Sequence, residues 1–271
     1  MCSVSWIINE SGYQVFFNRD EQKTRALALP PKQLTVNGIE VLMPIDPVGN
    51  GSWISLNEFG LSLCLLNNYQ GKSPVTINSA CLKEHQRNVQ DEDKLESHTL
   101  ISRGLLLKQL SGYKTVSQVE RAFYTLDLNQ FAPFTLLVFS PATSLVKPNV
   151  MAFEWDGVTS EVYPTECPLF SSSVDIDAVK AYRLKQFQHF TSGGKNIQSL
   201  LAFHAHHHPN QMHLSTCMHR EDAQTVSTTY LHVSATKQSM AYVPGSPCQH
   251  LTLQSIEQHQ YQLCHKTSLV S

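Results

Sequence analysis

The sequence predicts an α+β chain in which two layers of largely antiparallel sheet carry helices on their outer sides. Three observations support this. Short alternating apolar runs bounded by turn residues recur along the chain. One run, residues 61–66, is apolar almost throughout, as a strand covered on both faces requires. The helical stretches fall in blocks between groups of strands rather than alternating singly with them, which argues against βαβ units.

Taken in order, residues 4–8 and 13–17 read as two strands, with Asn9-Glu10-Ser11-Gly12 as the turn that makes them a hairpin. The stretches Leu29-Pro30-Pro31 and Asp46-Pro47-Val48-Gly49-Asn50-Gly51 read as loops. Residues 53–57 and 61–67 form a second hairpin about Glu58-Phe59-Gly60. Residues 97–110 are predicted helical, stopped by Ser111-Gly112, and a shorter helix is predicted over 115–124. Residues 132–139 return to strand, and 151–155 and 158–163 flank the hairpin signal Asp156-Gly157. A helix over 177–190 ends at Ser192-Gly193-Gly194, and strands are predicted over 213–218, 225–233, 240–243 and 250–253. No internal repeat, low-complexity linker or shift of composition divides the 271 residues, so a single domain over 1–271 is predicted.

Hydrophobic residues make up 41% of the chain and charged residues 15%, a folded composition. A net charge of −2 gives no general attraction to nucleic acid or anionic membrane. No apolar run approaches the ~20 residues that span a bilayer. The amino terminus lacks the basic start and unbroken apolar stretch of a signal peptide, so a cytoplasmic location is expected. Seven cysteines without a Cys-x-x-Cys pair read as reduced thiols rather than a disulfide framework. Walker, Gly-x-Gly-x-x-Gly and Gly-x-Ser-x-Gly motifs are absent from the sequence.

Two features of the first hairpin bear on chemistry. Cys2 follows the initiator methionine, and removal of Met1 would leave a thiol beside a free α-amine, a nucleophile beside a base that titrates near neutrality. The second strand ends in Asn18-Arg19-Asp20-Glu21. A hairpin turning near Ser11 brings residues 18–20 back beside the chain start, so Arg19 and Asp20 are expected near Cys2. Arginine there would favour the thiolate, and a carboxylate would orient the amine. Adjacent strand residues point to opposite faces, so one of the two is expected to leave the site unless a bulge re-aims it.

The opening Met1-Cys2, the block Phe16-Phe17-Asn18-Arg19-Asp20-Glu21, Gly51-Ser52-Trp53-Ile54, Asn57-Glu58-Phe59-Gly60-Leu61 with Leu66-Asn67-Asn68-Tyr69, Ser102-Arg103-Gly104 and Phe134-Thr135-Leu136-Leu137 together resemble the NRDE family, also called transport and Golgi organisation protein two. The resemblance runs over most of the chain, is most specific in its first quarter, and is looser after Pro164. It implies a four-layer αββα sandwich of the N-terminal nucleophile (Ntn) hydrolase type, similar also to choloylglycine hydrolase and penicillin V acylase. Carried over by motif, it implies Cys2 as nucleophile, Arg19 as the cation beside the thiolate, Asp20 as the carboxylate that orients the amine, and Asn67 as oxyanion donor. Asn18, Glu21, Trp53, Asn68 and Arg220 are further pocket candidates. The sequence departs from the hydrolase pattern in placing Arg19 and Asp20 side by side. Glu166-Cys167-Pro168-Leu169-Phe170 stands where a second asparagine would be expected, and Arg220 is the nearest candidate for a late arginine.

The stretch from Phe203 to His213 carries five histidines, with Cys217 and His219 just beyond, and Pro209 makes it a loop. Imidazole, thiol and thioether side chains ligate transition metals and haem. His207, His208 and His213, with Met212, are the candidate ligands, and no covalent haem-attachment motif is present. The NRDE resemblance implies intracellular haem traffic, so the leading expectation is a protein that binds and transfers haem or a similar amphipathic molecule. The alternative is an amide C–N hydrolase with Cys2 as nucleophile, acting on non-peptide amides and needing no cofactor. A small-molecule ligand is the partner expected under either.

Overall fold

Side-chain alternation along the first hairpin sets the layers. The computed structural model describes residues 2–72, 100–141 and 150–263. Strands β1 (Cys2–Asn9) and β2 (Gly12–Gln22) pair antiparallel from Asn9 opposite Gly12 to Cys2 opposite Arg19. Gly12 takes φ +144°, and a Cβ there would lie 2.0 Å from the Val233 carbonyl oxygen, so only glycine fits the start of β2. Cys2, Val4, Trp6, Tyr13, Val15 and Phe17 point to one face and join the central core. Phe16 points to the other face, where Ser3, Ser5, Asn18 and Asp20 also make their contacts. This is the period of two on a strand buried on both sides.

Among the described residues thirteen strands form two antiparallel sheets. The first has the order β10-β1-β2-β11-β12-β13, with β10 Leu169–Ser171, β11 Ala223–Ser234, β12 Gln238–Pro244 and β13 Gln260–Gln262. The second is a meander in chain order: β3 (Leu29–Val36), β4 (Ile39–Ile45), β5 (Ile54–Asn57), β6 (Ser62–Asn67), β7 (Phe134–Phe139), β8 (Val150–Trp155) and β9 (Ser160–Thr165). The inner faces share one core, in which Trp6, Tyr13 and Phe17 meet Ile54, Leu56, Leu137 and Phe139. Helices α1 (Arg103–Leu110) and α2 (Val116–Thr125) cover the second sheet through Leu106, Leu107, Leu110, Val119 and Phe123. Helices α3 (Ile176–Thr191) and α4 (Ile197–Ala205), with the short α5 (Pro247–His250) and α6 (Leu253–Gln258), cover the first through Phe187, Leu200, Phe203 and Ile256. The architecture is the predicted α+β αββα sandwich.

Several local expectations are corrected. Leu29-Pro30-Pro31 opens β3 rather than forming a loop. It lies on a sheet edge, where proline leaves no ladder bond unmade, and the pairing with β4 shifts register between Leu29 and Lys32. Residues 213–218 are turns and bends rather than a strand, because their amides find scattered partners: Leu214 N–H donates to Gln211 O, Cys217 N–H to His206 O and Met218 N–H to Thr225 Oγ1. Residues 250–253 are not a strand; Pro247 opens α5 and the Thr252–Ser255 capping box opens α6. Helix α4, opened by an Asn196–Ser199 capping box, was not anticipated. The first helix begins at Arg103; residues 97–99 of the predicted span lie outside the described residues. No helix among the described residues is long and apolar enough to cross a membrane.

Candidate active site

β1 lies between β10 and β2, so Cys2 faces Ser171 on one side and Arg19 on the other. Directly opposed residues share a face. The Cys2 thiol is thus buried on the inter-sheet side, beside a cleft of about 360 Å³. Cys2, Arg19, Asp20, Glu21, Trp53 and Asn67 all border this cleft, with Arg25, Asp46, Tyr69 and Arg103 among its other walls.

Arg19 is held from two directions. Its Nη2 lies 3.0 Å from the Glu21 carboxylate, and its guanidinium carbon lies 4.3 Å from the centre of a Trp53 ring. The chain of charges continues through Arg25, which bonds Asp46 and approaches Glu21 at 3.5 Å. The Trp53 indole N–H is buried without a hydrogen-bond partner among the described residues. Burial pushes the Cys2 thiol up to about 11. The charged amino terminus, the Asp20 main-chain N–H donating to the sulfur, and Arg19 oppose that rise, while the Asp20 carboxylate adds to it.

Arg19 and Asp20 do point to opposite faces of the sheet. Asp20 therefore offers the cleft side its amide, while its carboxylate lies on the helix side. There Thr225 Oγ1 donates to Oδ1 at 2.6 Å, and Arg183 Nη2 lies 3.6 Å from Oδ2, both side chains fully buried. A register shift in β11 between Thr225 and Ser227 accompanies the turn-over from Asp20 to Arg19. Arg183 also donates to Ser3 Oγ at 2.6 Å and to the Leu214 carbonyl at 3.1 Å. Sequence reasoning missed Arg183. Its signal was present: Val179, Arg183 and Phe187 are the buried residues of α3, spaced by four, so an arginine occupies the apolar stripe.

Arg103 was missed as a site residue although it lies in one of the quoted motifs. It opens α1 on the cleft wall and donates to the Pro133 carbonyl at 2.8 Å, and burial depresses its pKa against the opposing influence of Tyr69 and Cys2. Asn67 Nδ2 donates to Tyr69 Oη at 2.8 Å. This pair also borders a second cavity of about 320 Å³, walled by Leu66, Tyr163, Phe170, Ser171 and Ile176. Ser171 Oγ, next to Cys2 by register, is buried without a hydrogen-bond partner among the described residues. It stands in the region where the second asparagine was expected. Behind the cleft, a Cβ on Gly51 would lie 2.2 Å from the Gly104 carbonyl carbon, and one on Gly104 would lie 2.9 Å from the Ser52 nitrogen. The two main chains touch there, joined by the Ser52 N–H bond to Gly104 O.

Other sequence candidates lie elsewhere. Asn18 is fully buried on the helix side, donating to the His204 and Thr216 carbonyls and accepting from Thr228. It ties layers together rather than lining the cleft. Asn68 donates to Glu154 and borders the second cavity. Arg220 pairs with Asp222 outside the cleft lining. His207 packs edge-on against His219 and contacts the Cys217 carbonyl, whereas His208 Nδ1 accepts from the Asn210 amide. These partners differ, and neither these two histidines nor His213 borders the Cys2 cleft.

No family model matches the sequence, and no curated protein matches it. Solved structures do resemble the fold. Penicillin V acylase from Agrobacterium tumefaciens aligns with a TM-score of 0.50 at 10% identity, over 90% of this chain and 83% of that one. The Caenorhabditis elegans ortholog of N-acylethanolamine-hydrolyzing acid amidase aligns with a TM-score of 0.50 at 15% identity, over 96% of this chain and all of the other. The fold is that of the Ntn hydrolases.

Proposed function

We propose that the chain is an N-terminal-cysteine amidohydrolase that cleaves a non-peptide amide C–N bond, within the NRDE group that its motifs resemble. The observation that carries this reading is Cys2 opposite Arg19 at the edge of a cleft that Asn67 also borders. The names of the two structural relatives, an acylase and an amidase, agree with it. The haem-carrier reading finds no such support, because its candidate ligands make separate contacts away from this cleft.

Loss of Met1 frees the Cys2 α-amine, which takes the thiol proton. The thiolate adds to the amide carbonyl carbon. Asn67 Nδ2, turned from Tyr69, donates to the resulting oxyanion. The C–N bond breaks as the α-ammonium returns its proton to the leaving amine. Water, deprotonated by the same amine, then hydrolyses the thioester. Positive charge beside the sulfur is required because burial alone favours the neutral thiol. The cleft brings together three arginines, of which Arg19 and Arg25 pair with carboxylates, while Arg103 has none among the described residues. A carboxylate on the substrate would complement Arg103. The less charged second cavity beyond Asn67 and Tyr69 would take the apolar part.

Intact mass and an acyl-transfer probe test the proposal. The mature protein is expected to lack Met1, and an activated-amide probe should acylate Cys2. Cys2→Ala should abolish labelling while leaving the circular dichroism spectrum unchanged. Retention of Met1 in the native protein, or equal labelling of Cys2→Ala, overturns it.

A further inference from the structure

On the helix side of the first sheet, away from the Cys2 cleft, two sulfurs and one imidazole nitrogen converge. Cys217 Sγ lies 3.3 Å from His219 Nε2, and Cys248 Sγ lies 3.4 Å from the same atom. All three ligand atoms lie within 4.8 Å of one another. We propose that Cys217, His219 and Cys248 form a binding site for a soft, thiolate-seeking divalent metal ion, zinc(II) foremost.

The distances suit this chemistry. With Zn–S near 2.3 Å and Zn–N near 2.0 Å, tetrahedral angles put sulfur and nitrogen about 3.5 Å apart. Hydrogen bonding explains the convergence less well. A neutral imidazole Nε2 has a single lone pair, so it can accept a proton from only one of two thiols. One cation between the three atoms engages all of them, and two thiolates balance its charge as their protons are released.

The ligands are also positioned in advance by separate parts of the fold. Cys217 is fixed by its N–H donating to His206 O, and His219 by its N–H donating to Met212 O and by the edge of the His207 ring, with centroids 4.5 Å apart. Cys248 comes from α5, and its own amide donates to Cys217 Sγ at 3.4 Å. An ion here would clamp α5 to the segment between α4 and β11. That segment underlies Asp20, since Thr216 O accepts from Asn18 and Thr225 Oγ1 contacts Met218 N and Asp20 Oδ1. Three protein ligands leave the fourth tetrahedral position to water.

The test uses the full-length, tag-free protein, purified under reducing conditions, loaded with zinc and desalted. Elemental analysis should find about one zinc per chain. Cys248→Ser should lose it, while His208→Gln, which disturbs only the neighbouring histidine loop, should keep it. Cobalt(II) in place of zinc should give a thiolate-to-metal charge-transfer band that disappears in Cys248→Ser. In the wild type, zinc should also slow alkylation of Cys248, a readout that needs no variant. Equal zinc retention by wild type and Cys248→Ser, loss of zinc in His208→Gln alone, or a Cys217–Cys248 disulfide in the reduced preparation would each overturn the site.

Discussion

Arg183 Nη2 lies 3.6 Å from Asp20 Oδ2, with both side chains fully buried between the first sheet and α3. The guanidinium comes from the helix layer, the carboxylate from the residue next to Arg19. Removing one member leaves the other charged and buried, which is far worse than never having had the pair. Arg183→Met is therefore expected to destabilise the fold by about 3–5 kcal/mol. Urea unfolding of the variant should show a midpoint well below wild type at unchanged slope; a midpoint near wild type would refute the assignment.

Acid should find its weak point at His204. This ring is fully buried between Phe16 and Phe203, with Nε2 2.8 Å from Ser5 Oγ, and burial followed by repulsion from Arg183 lowers its pKa from 6.5 to about 3. The folded state keeps it neutral where the unfolded chain protonates it. Stability from this group is thus complete above pH ~6.5 and falls as pH drops towards ~3, by roughly tenfold in the unfolding constant per pH unit. His204→Gln should flatten that limb of a plot of stability against pH. An unchanged slope would show that other groups set it.

The two sheets are pinned where the first hairpin meets the second. The buried Tyr13 hydroxyl lies 2.6 Å from Gly60 O and 2.7 Å from Ser62 Oγ. Tyr13→Phe keeps the ring stacked on Phe139 but strands both partners, and should cost about 1–3 kcal/mol. Thermal denaturation of the variant checks this; an unshifted midpoint would count against the bond.

Arg103 offers a measure of substrate charge. Under the proposed hydrolysis, Arg103→Met should raise KM about 10–100-fold for amides carrying a carboxylate and leave neutral isosteres nearly unaffected. Comparing kcat and KM for a matched pair of substrates decides it. Equal effects on both would mean that Arg103 only shapes the wall.

How much of this could be read from residues depends on where the information is local. The hairpin register that puts Arg19 opposite Cys2 follows from the turn at Ser11 and from counting, and the opposite orientations of Arg19 and Asp20 follow from the period of two. The run from Leu61 to Leu66, apolar but for Ser62, does lie between two layers, with Cys64 and Leu66 facing one core and Leu63 and Leu65 the other. What stayed hidden depends on tertiary partners. Arg183 needs Asp20, 163 positions away, to make sense of an arginine on an apolar stripe. Pro30 and Pro31 look like a loop until β3 is known to be an edge strand. The histidine-rich loop drew attention by density alone. The side chains that converge are instead His219 and Cys217 with Cys248, which lies 29 residues beyond His219.

Where Gly51 and Gly104 meet, the cleft is bordered by main chain alone. A wall of bare main chain cannot be recarved by substitution, because any added carbon would push the loop before β5 away from the start of α1. A change of ligand preference in this cleft therefore falls to its borders that carry side chains, among them Arg25, Asp46, Tyr69 and Arg103.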